Sequence, residues 1–219
     1  MRINLAEFFI KIGTMFSAHK PINDAIQHLD AVLRRLSKDC SDRPNILKEL
    51  SNAHSESYRL TNSRHSLDNA VLYGLQAKEL AIALHLHTQG QERYLEILTH
   101  LGYFLSYRFQ LIGMPKDLDE SIACKREILE STSKGSDSHG LALNNLASAL
   151  RVRYVNRPRL EDEEEARKLL EELFSSTESG SKLHNICSRS AGSIGHCAVS
   201  SDSNIGRFGR GTCSLQDRT

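Results

Sequence analysis

Leu143-Asn144-Asn145-Leu146-Ala147-Ser148-Ala149-Leu150-Arg151-Val152-Arg153-Tyr154 is the stretch that decides the fold. Its apolar positions 143, 146, 147, 150 and 154 lie at i, i+3, i+4, i+7 and i+11, one stripe along an α-helix. The same spacing returns at Leu98, Leu101, Gly102, Leu105 and Phe109, and at Leu5, Phe8, Phe9, Ile12 and Phe16. Leu47, Leu50, Ser51, His54 and Tyr58 carry a weaker copy. Each copy closes on an aromatic residue eleven positions after its first leucine. Thirteen residues beyond Tyr58, Phe109 and Tyr154 come Val71, Ile122 and Arg167, each inside a second helical stretch. The first copy is tighter, with ten residues from Phe16 to Ile26. Opening leucines at 5, 47, 98 and 143 are 42, 51 and 45 residues apart, room for two antiparallel helices and their loops.

The spacing predicts first helices near 4–16, 45–60, 92–110 and 138–156, and second helices near 22–38, 66–87, 117–133 and 161–175. Turn signals separate them: Asp42-Arg43-Pro44, Gly113-Met114-Pro115, Gly135-Ser136-Asp137 and Arg157-Pro158. Ser66, ahead of a helical run, is expected to cap free backbone N–H groups. The small residues Gly102 and Ala147, midway along their helices, predict close approach of a neighbouring backbone. A helix pair of this kind cannot bury its apolar face alone, so neighbours must stack. The expected fold is all-α: a right-handed α-solenoid of antiparallel helix pairs. It has about four repeats over 1–175, at 4–38, 45–87, 92–133 and 138–175. Leu101 and Leu146 are expected in the core, with Glu49 and His100 on one exposed concave side.

Composition agrees. A hydrophobic fraction of 39% and a charged fraction of 25% allow a packed core. A net charge of +1 gives no argument for a nucleic acid or an anionic membrane as partner. Five cysteines, an odd number with no CxxC pair, argue against a disulfide framework and for a reducing compartment. Glu7 and Lys11 interrupt the apolar N-terminal run, which lacks a cleavage site, and no stretch is long and apolar enough to span a bilayer. A soluble cytoplasmic protein is the expectation.

The pattern L-x-N-L-[AG]-x-x-L-x-x-R-[FY], followed after thirteen residues by [AS]-[IV], resembles the tetratricopeptide-like repeats of large fungal proteins. Leu143 to Tyr154 with Asp162 and Ala166 carry the resemblance, as do Leu98 to Phe109 with Asp117, Leu118 and Ile122. It spans roughly residues 4–175. It implies a tetratricopeptide solenoid of the kind that accompanies caspase-like CHAT or other signalling domains. The copies at 5–26 and 47–71 depart from it, since neither has Asn before its second apolar position.

Residues 176–219 read differently. Ten Ser and six Gly among them are too many for a continuous helix. Leu183 to Ala191 echoes the opening of the 143–154 copy, so 176–195 holds a candidate degenerate fifth first-helix, and 196–219 is expected to be a disordered tail. The unfinished repeat suggests a truncated relative of a longer protein or an artefact of the gene model.

No catalytic constellation is expected, and no cofactor. Cys124, in a helix, reads as a small buried thiol rather than a nucleophile. His184, Cys187, His196, Cys197 and Cys213 cluster in the tail, but not in a standard zinc spacing. His85 and His87, two apart on a helix, should face different ways. The run Glu161 to Glu165 reads as the solvated start of a helix. A chaperone-type carboxylate clamp is rejected, because Glu7, Glu49 and His100 stand where its asparagines would, with Asn145 the one match.

These readings point to a non-catalytic scaffold that binds a protein or peptide in a groove lined by the first helices. Glu49, His100, Tyr103, Tyr107, Asn145 and Ser148 are the expected lining. An RNA-binding repeat is an alternative: Arg108 and Arg153 favour it, Glu7 and Glu49 oppose it. A regulatory fragment of a larger signalling protein is another. Ile3, Leu5, Phe8, Phe9, Ile10, Ile12, Met15 and Phe16 nearly surround the first helix with apolar side chains. With no earlier residues to cover it, that helix is expected either to be wrapped by the 22–38 and 45–60 helices or to have an open face for a partner or a second copy of the chain.

Overall fold

The computed structural model describes residues 6, 10, 11, 13, 14 and 18–176. Among them are eight helices and no strand. They are α1 (His19–Arg35), α2 (Arg43–Thr61), α3 (Arg64–Ala83), α4 (Leu86–Gln89), α5 (Gln91–Ile112), α6 (Pro115–Glu130), α7 (Asp137–Asn156) and α8 (Leu160–Ser176). Ala6, Ile10, Lys11, Gly13 and Thr14 are also helical. Thus α2, α5 and α7 are first helices of their repeats, and α1, α3, α6 and α8 are second helices. Of the apolar residues expected around the leading helix, Ile10 is half-buried and packs on the α1/α2 core. Ile3, Leu5, Phe8, Phe9, Ile12, Met15, Phe16 and the whole 177–219 region, including the weighed zinc ligands, lie outside the described residues.

Local chemistry sets most boundaries. Pro44 and Pro115 open α2 and α6, where a missing N–H costs nothing. Asn62 and Gly113, in left-handed conformation, close α2 and α5. Ser136 caps α7 by accepting from the His139 N–H at 3.1 Å. Ser66 does not cap: it lies inside α3, buried, its hydroxyl 3.2 Å from that of Ser57. The single helix expected over 66–87 is instead broken at Leu84 and His85, where His85 adopts a φ of 55°. Beyond the break Leu86 packs on the buried cluster that holds Ala81 and Tyr94.

Two registers recur within the helix pairs. Residues nine apart meet near the turn: Ser57 with Ser66, Arg108 with Asp117, Arg153 with Asp162. Residues nineteen apart meet further along, as Ser51 donates to the Ala70 carbonyl at 2.6 Å and Ser121 donates to the Gly102 carbonyl at 2.8 Å. Ala147 and Ala166 hold the matching positions in α7 and α8, both buried. Contacts that widen symmetrically from the turn are those of an antiparallel pair. Small side chains at the nineteen-residue register let the backbones close together. A Cβ at Gly102 would stand 3.4 Å from that of Cys124 and 3.7 Å from Lys125 Nζ, so alanine fits and a branched side chain would crowd α6. Gly102→Leu is expected to lower stability by about 1–3 kcal/mol through overpacking, with Gly102→Ala far milder. Thermal melts of the two variants check this.

The core is a chain of clusters, each shared by successive helices. Leu29, Ile46 and Leu50 join α1 to α2. Leu47, Val71, Leu98, Leu101 and Leu105 join α2 and α3 to α5. Phe109, Ile122, Leu143, Leu146 and Leu170 join α5 and α6 to α7 and α8. Leu101 and Leu146 are buried as expected. This is an α-solenoid of stacked helix pairs.

The weaker stripe of α2 leaves a chemical mark. His54 stacks on Tyr73 with centroids 5.4 Å apart, and burial, with His65 nearby, pushes its pKa down to about 4. The folded state then holds His54 neutral, while the unfolded chain takes up a proton below about pH 6.5. That stability is fully present above pH 6.5 and is lost as pH falls towards 4, by about 2 kcal/mol after allowing for partial exposure. Urea unfolding at both ends of that window should give a smaller acid loss in His54→Phe. The lowered pKa of His100, caused first by burial, adds a loss of the same sign.

Candidate groove

Between α5 and α7 runs a trough of about 610 Å³. Both helices pack on α6, which supplies the floor with Leu118, Lys125 and Ile128. Tyr103 and Phe109 stand on the α5 wall; Leu141, Asn145, Ser148 and Val152 stand on the α7 wall. A second hollow of about 590 Å³ lies between α2 and α5, lined by Asn52, Tyr58, His100, Phe104 and Tyr107 among others. Thr99 and Tyr103 line both, so the two are continuous along one side of the solenoid. Its centre is aromatic. Tyr103, 62% exposed, stacks on Tyr107 at 6.2 Å, and Tyr58 meets Tyr107 edge-on at 5.8 Å. A tyrosine ring so exposed between two hollows offers apolar area and a hydroxyl at low cost in conformational entropy.

Five of the six expected lining residues border these hollows: His100 and Tyr107 the hollow between the second and third repeats, Asn145 and Ser148 the trough, Tyr103 both. Glu49 does not. It is 6% exposed, its carboxylate 3.2 Å from Lys48, which also bonds Glu96 at 2.7 Å. Glu49, His100 and Asn145 share one register position, yet they are buried, half-buried and exposed in turn. Helix α5 packs directly on α2 and covers Glu49, whereas α7 is held away from α5 across the trough. The Glu49 charge is thus met by Lys48 and faces neither hollow.

Other expectations change with the packing. Arg108 grips Asp117 through two hydrogen bonds of 2.7 Å and reaches Asp68 of the preceding repeat at 3.2 Å. Arg153 grips Asp162 at 2.9 and 2.6 Å and reaches Asp119 at 2.9 Å. Both guanidiniums are spent on tying repeats together, which removes the support they lent to an RNA surface. Asp162 is accordingly buried, and Glu165 pairs with Arg126 at 2.6 Å, so the 161–165 run is not wholly solvated. His85 and His87, expected to diverge, bring their rings to 6.0 Å because His85 sits at the helix break. Cys124 is buried, and burial pushes its thiol up to about 11, against reactivity.

Lys125 is the charged lining residue that the groove assignment missed. Its signal was legible: it replaces an apolar residue in the stripe Leu118, Ile122, Lys125, Leu129 of α6. Its Nζ bonds the Gly102 carbonyl at 3.3 Å and the hydroxyls of Ser106 and Ser121 at 3.1 and 2.6 Å. Burial lowers its pKa.

No described helix is long and apolar enough to cross a membrane. No protein-family model matches the chain, and no curated protein matches it. Among solved structures it is similar to BtubC (BKLC) from P. vanneervenii, at 15% identity and a TM-score of 0.52, over 98% of this chain and 85% of that one. It also matches the DHF58 filament, at 15% identity and 0.48, over 89% and 96%. The de novo designed helical repeat protein DHR64 aligns at 14% identity and 0.42, over 87% and 94%. The BtubC likeness bears on the fold alone, a helical repeat, and the two lower scores carry no further argument.

Proposed function

We propose that this chain is a non-catalytic interaction scaffold that holds a peptide or partner helix of another protein along the continuous α2/α5/α7 groove. The observation that carries the reading is the exposed Tyr103 ring standing between two apolar-walled hollows. Solenoids present such concave surfaces to extended or helical segments, with aromatic anchors supplying most of the contact. The resemblance of the 98–109 and 143–154 copies to fungal tetratricopeptide arrays supports the same role, as a recognition region in a signalling setting and a cytoplasmic one.

Selection of short randomised peptides on the immobilised protein tests this. Binders are expected that are lost when Leu141, which is exposed on the trough wall, becomes Arg. The same binders should survive Val155→Arg, at an exposed position outside both hollows. Binders indifferent to Leu141→Arg and Tyr103→Ala would end the proposal.

A further inference from the structure

The floor of the trough holds a cation that has no carboxylate partner among the described residues. Lys125 Nζ is bound by one carbonyl and two hydroxyls, all neutral. Four other part-buried cations of the solenoid meet carboxylates. Lys48 meets Glu49 and Glu96, Lys78 meets Glu120 and Glu127, and Arg108 and Arg153 each meet two aspartates. Among the described residues no acidic side chain lines the trough, and Lys125 is the sole charged one that does. Leu118, Ile128 and Leu141 around it keep the local dielectric low, where an ion pair is worth more than at an open surface.

We propose that Lys125 is the reader of an acidic side chain, so that the partner segment carries one Glu or Asp flanked by apolar residues. This rests on the groove reading and adds the chemistry of the occupant. Charge complementarity supplies the carboxylate. The apolar walls at Leu141, Phe109 and Val152 supply the flanking residues. Continuity past Thr99 and Tyr103 into the second hollow supplies the direction: a segment that runs on through the groove offers a side-chain carboxylate rather than a chain end. The neutral cradle holds the ammonium in place before binding; it uses all three N–H donors, so the incoming carboxylate takes the place of the longest contact, the Gly102 carbonyl at 3.3 Å, which Ser121 still satisfies. Ser121 can bond both Ser106, at 2.6 Å, and the Gly102 carbonyl, at 2.8 Å, so loss of the lysine leaves the hydroxyls satisfied. Lys125→Met should therefore fold.

The test uses randomised peptides blocked at both ends, so that side chains are their sole source of carboxylate. Those that bind wild type and are lost with Leu141→Arg should carry an acid at one fixed position. Changing that Glu to Gln in a selected peptide should weaken binding to wild type by about tenfold or more, and should matter little to Lys125→Met. Trough-dependent peptides without a fixed acid, or a Glu-to-Gln change without effect on wild type, would overturn this inference and leave the groove reading standing. The same holds if only peptides with a free C-terminus bind. Absence of any trough-dependent peptide would overturn both. The comparison in wild type decides the matter even if Lys125→Met proves unstable.

Discussion

Asp162→Ala is expected to destabilise the α7/α8 pair by about 3 kcal/mol, because it takes the closest carboxylate from a guanidinium that is almost wholly buried. The side chains of Arg153 and Asp162 are 11% and 4% exposed, and two short hydrogen bonds join them. Asp119 would still face Arg153 at 2.9 Å, which keeps the loss towards the lower end of the range for such pairs. Asp119→Ala should cost less than about 1 kcal/mol, since that carboxylate is 43% exposed and well hydrated when released. Replacing both partners, as Arg153→Met with Asp162→Leu, should recover most of the stability, because no buried charge is then left alone. Urea unfolding of the four proteins checks the order. An Asp162→Ala protein as stable as Asp119→Ala would mean that the pair is not buried in solution. In a solenoid the damage should be local first, appearing as early loss of α7 and α8 while the α2/α3 pair persists.

Leu101→Ala should cost about 3 kcal/mol or more, as deletion of a fully buried leucine from a packed core does. Its place makes the test specific to stacking between repeats. Leu101 lies on α5, and its Cδ1 would be 3.0 Å from a Cβ added at Gly74, on α3 of the preceding repeat. Gly74→Ala alone crowds Leu101. In the Leu101→Ala background the same methyl group enters the space the leucine left. The double variant should therefore be more stable than the sum of the single effects allows, by about 1 kcal/mol. Strict additivity, measured by the same unfolding experiment, would place these two residues apart.

The sequence by itself determined the pairing within each repeat and its helices, except for the break at Leu84 and His85. The apolar stripe of 98–109 and of 143–154 is a period inside one helix, and the link from first to second helix is a fixed local spacing. Thus Arg108 and Arg153 each stand nine residues before the aspartate they grip, a distance set by one turn and carried by the chain itself. In the second repeat Ser57 and Ser66 occupy the same two places and exchange a hydroxyl contact instead.

What the tertiary structure alone decided lies between repeats. Arg108 reaches back forty residues to Asp68 and Arg153 thirty-four to Asp119, because the repeats differ in length while the stacking does not. Glu49 and Asn145 share a register position and differ in burial, because one helix has a neighbour pressed against that side and the other faces a trough. Lys125 could be seen in the sequence as a charge on an apolar stripe, but not as one that no described carboxylate meets. Its partners come from α5 and its own helix, while Glu127, Asp117 and Asp162 pair with Lys78, Arg108 and Arg153. Periodicity fixes which way a side chain points from its own helix. What it meets there depends on how far the next helix stands away, and that distance is set by packing across repeats.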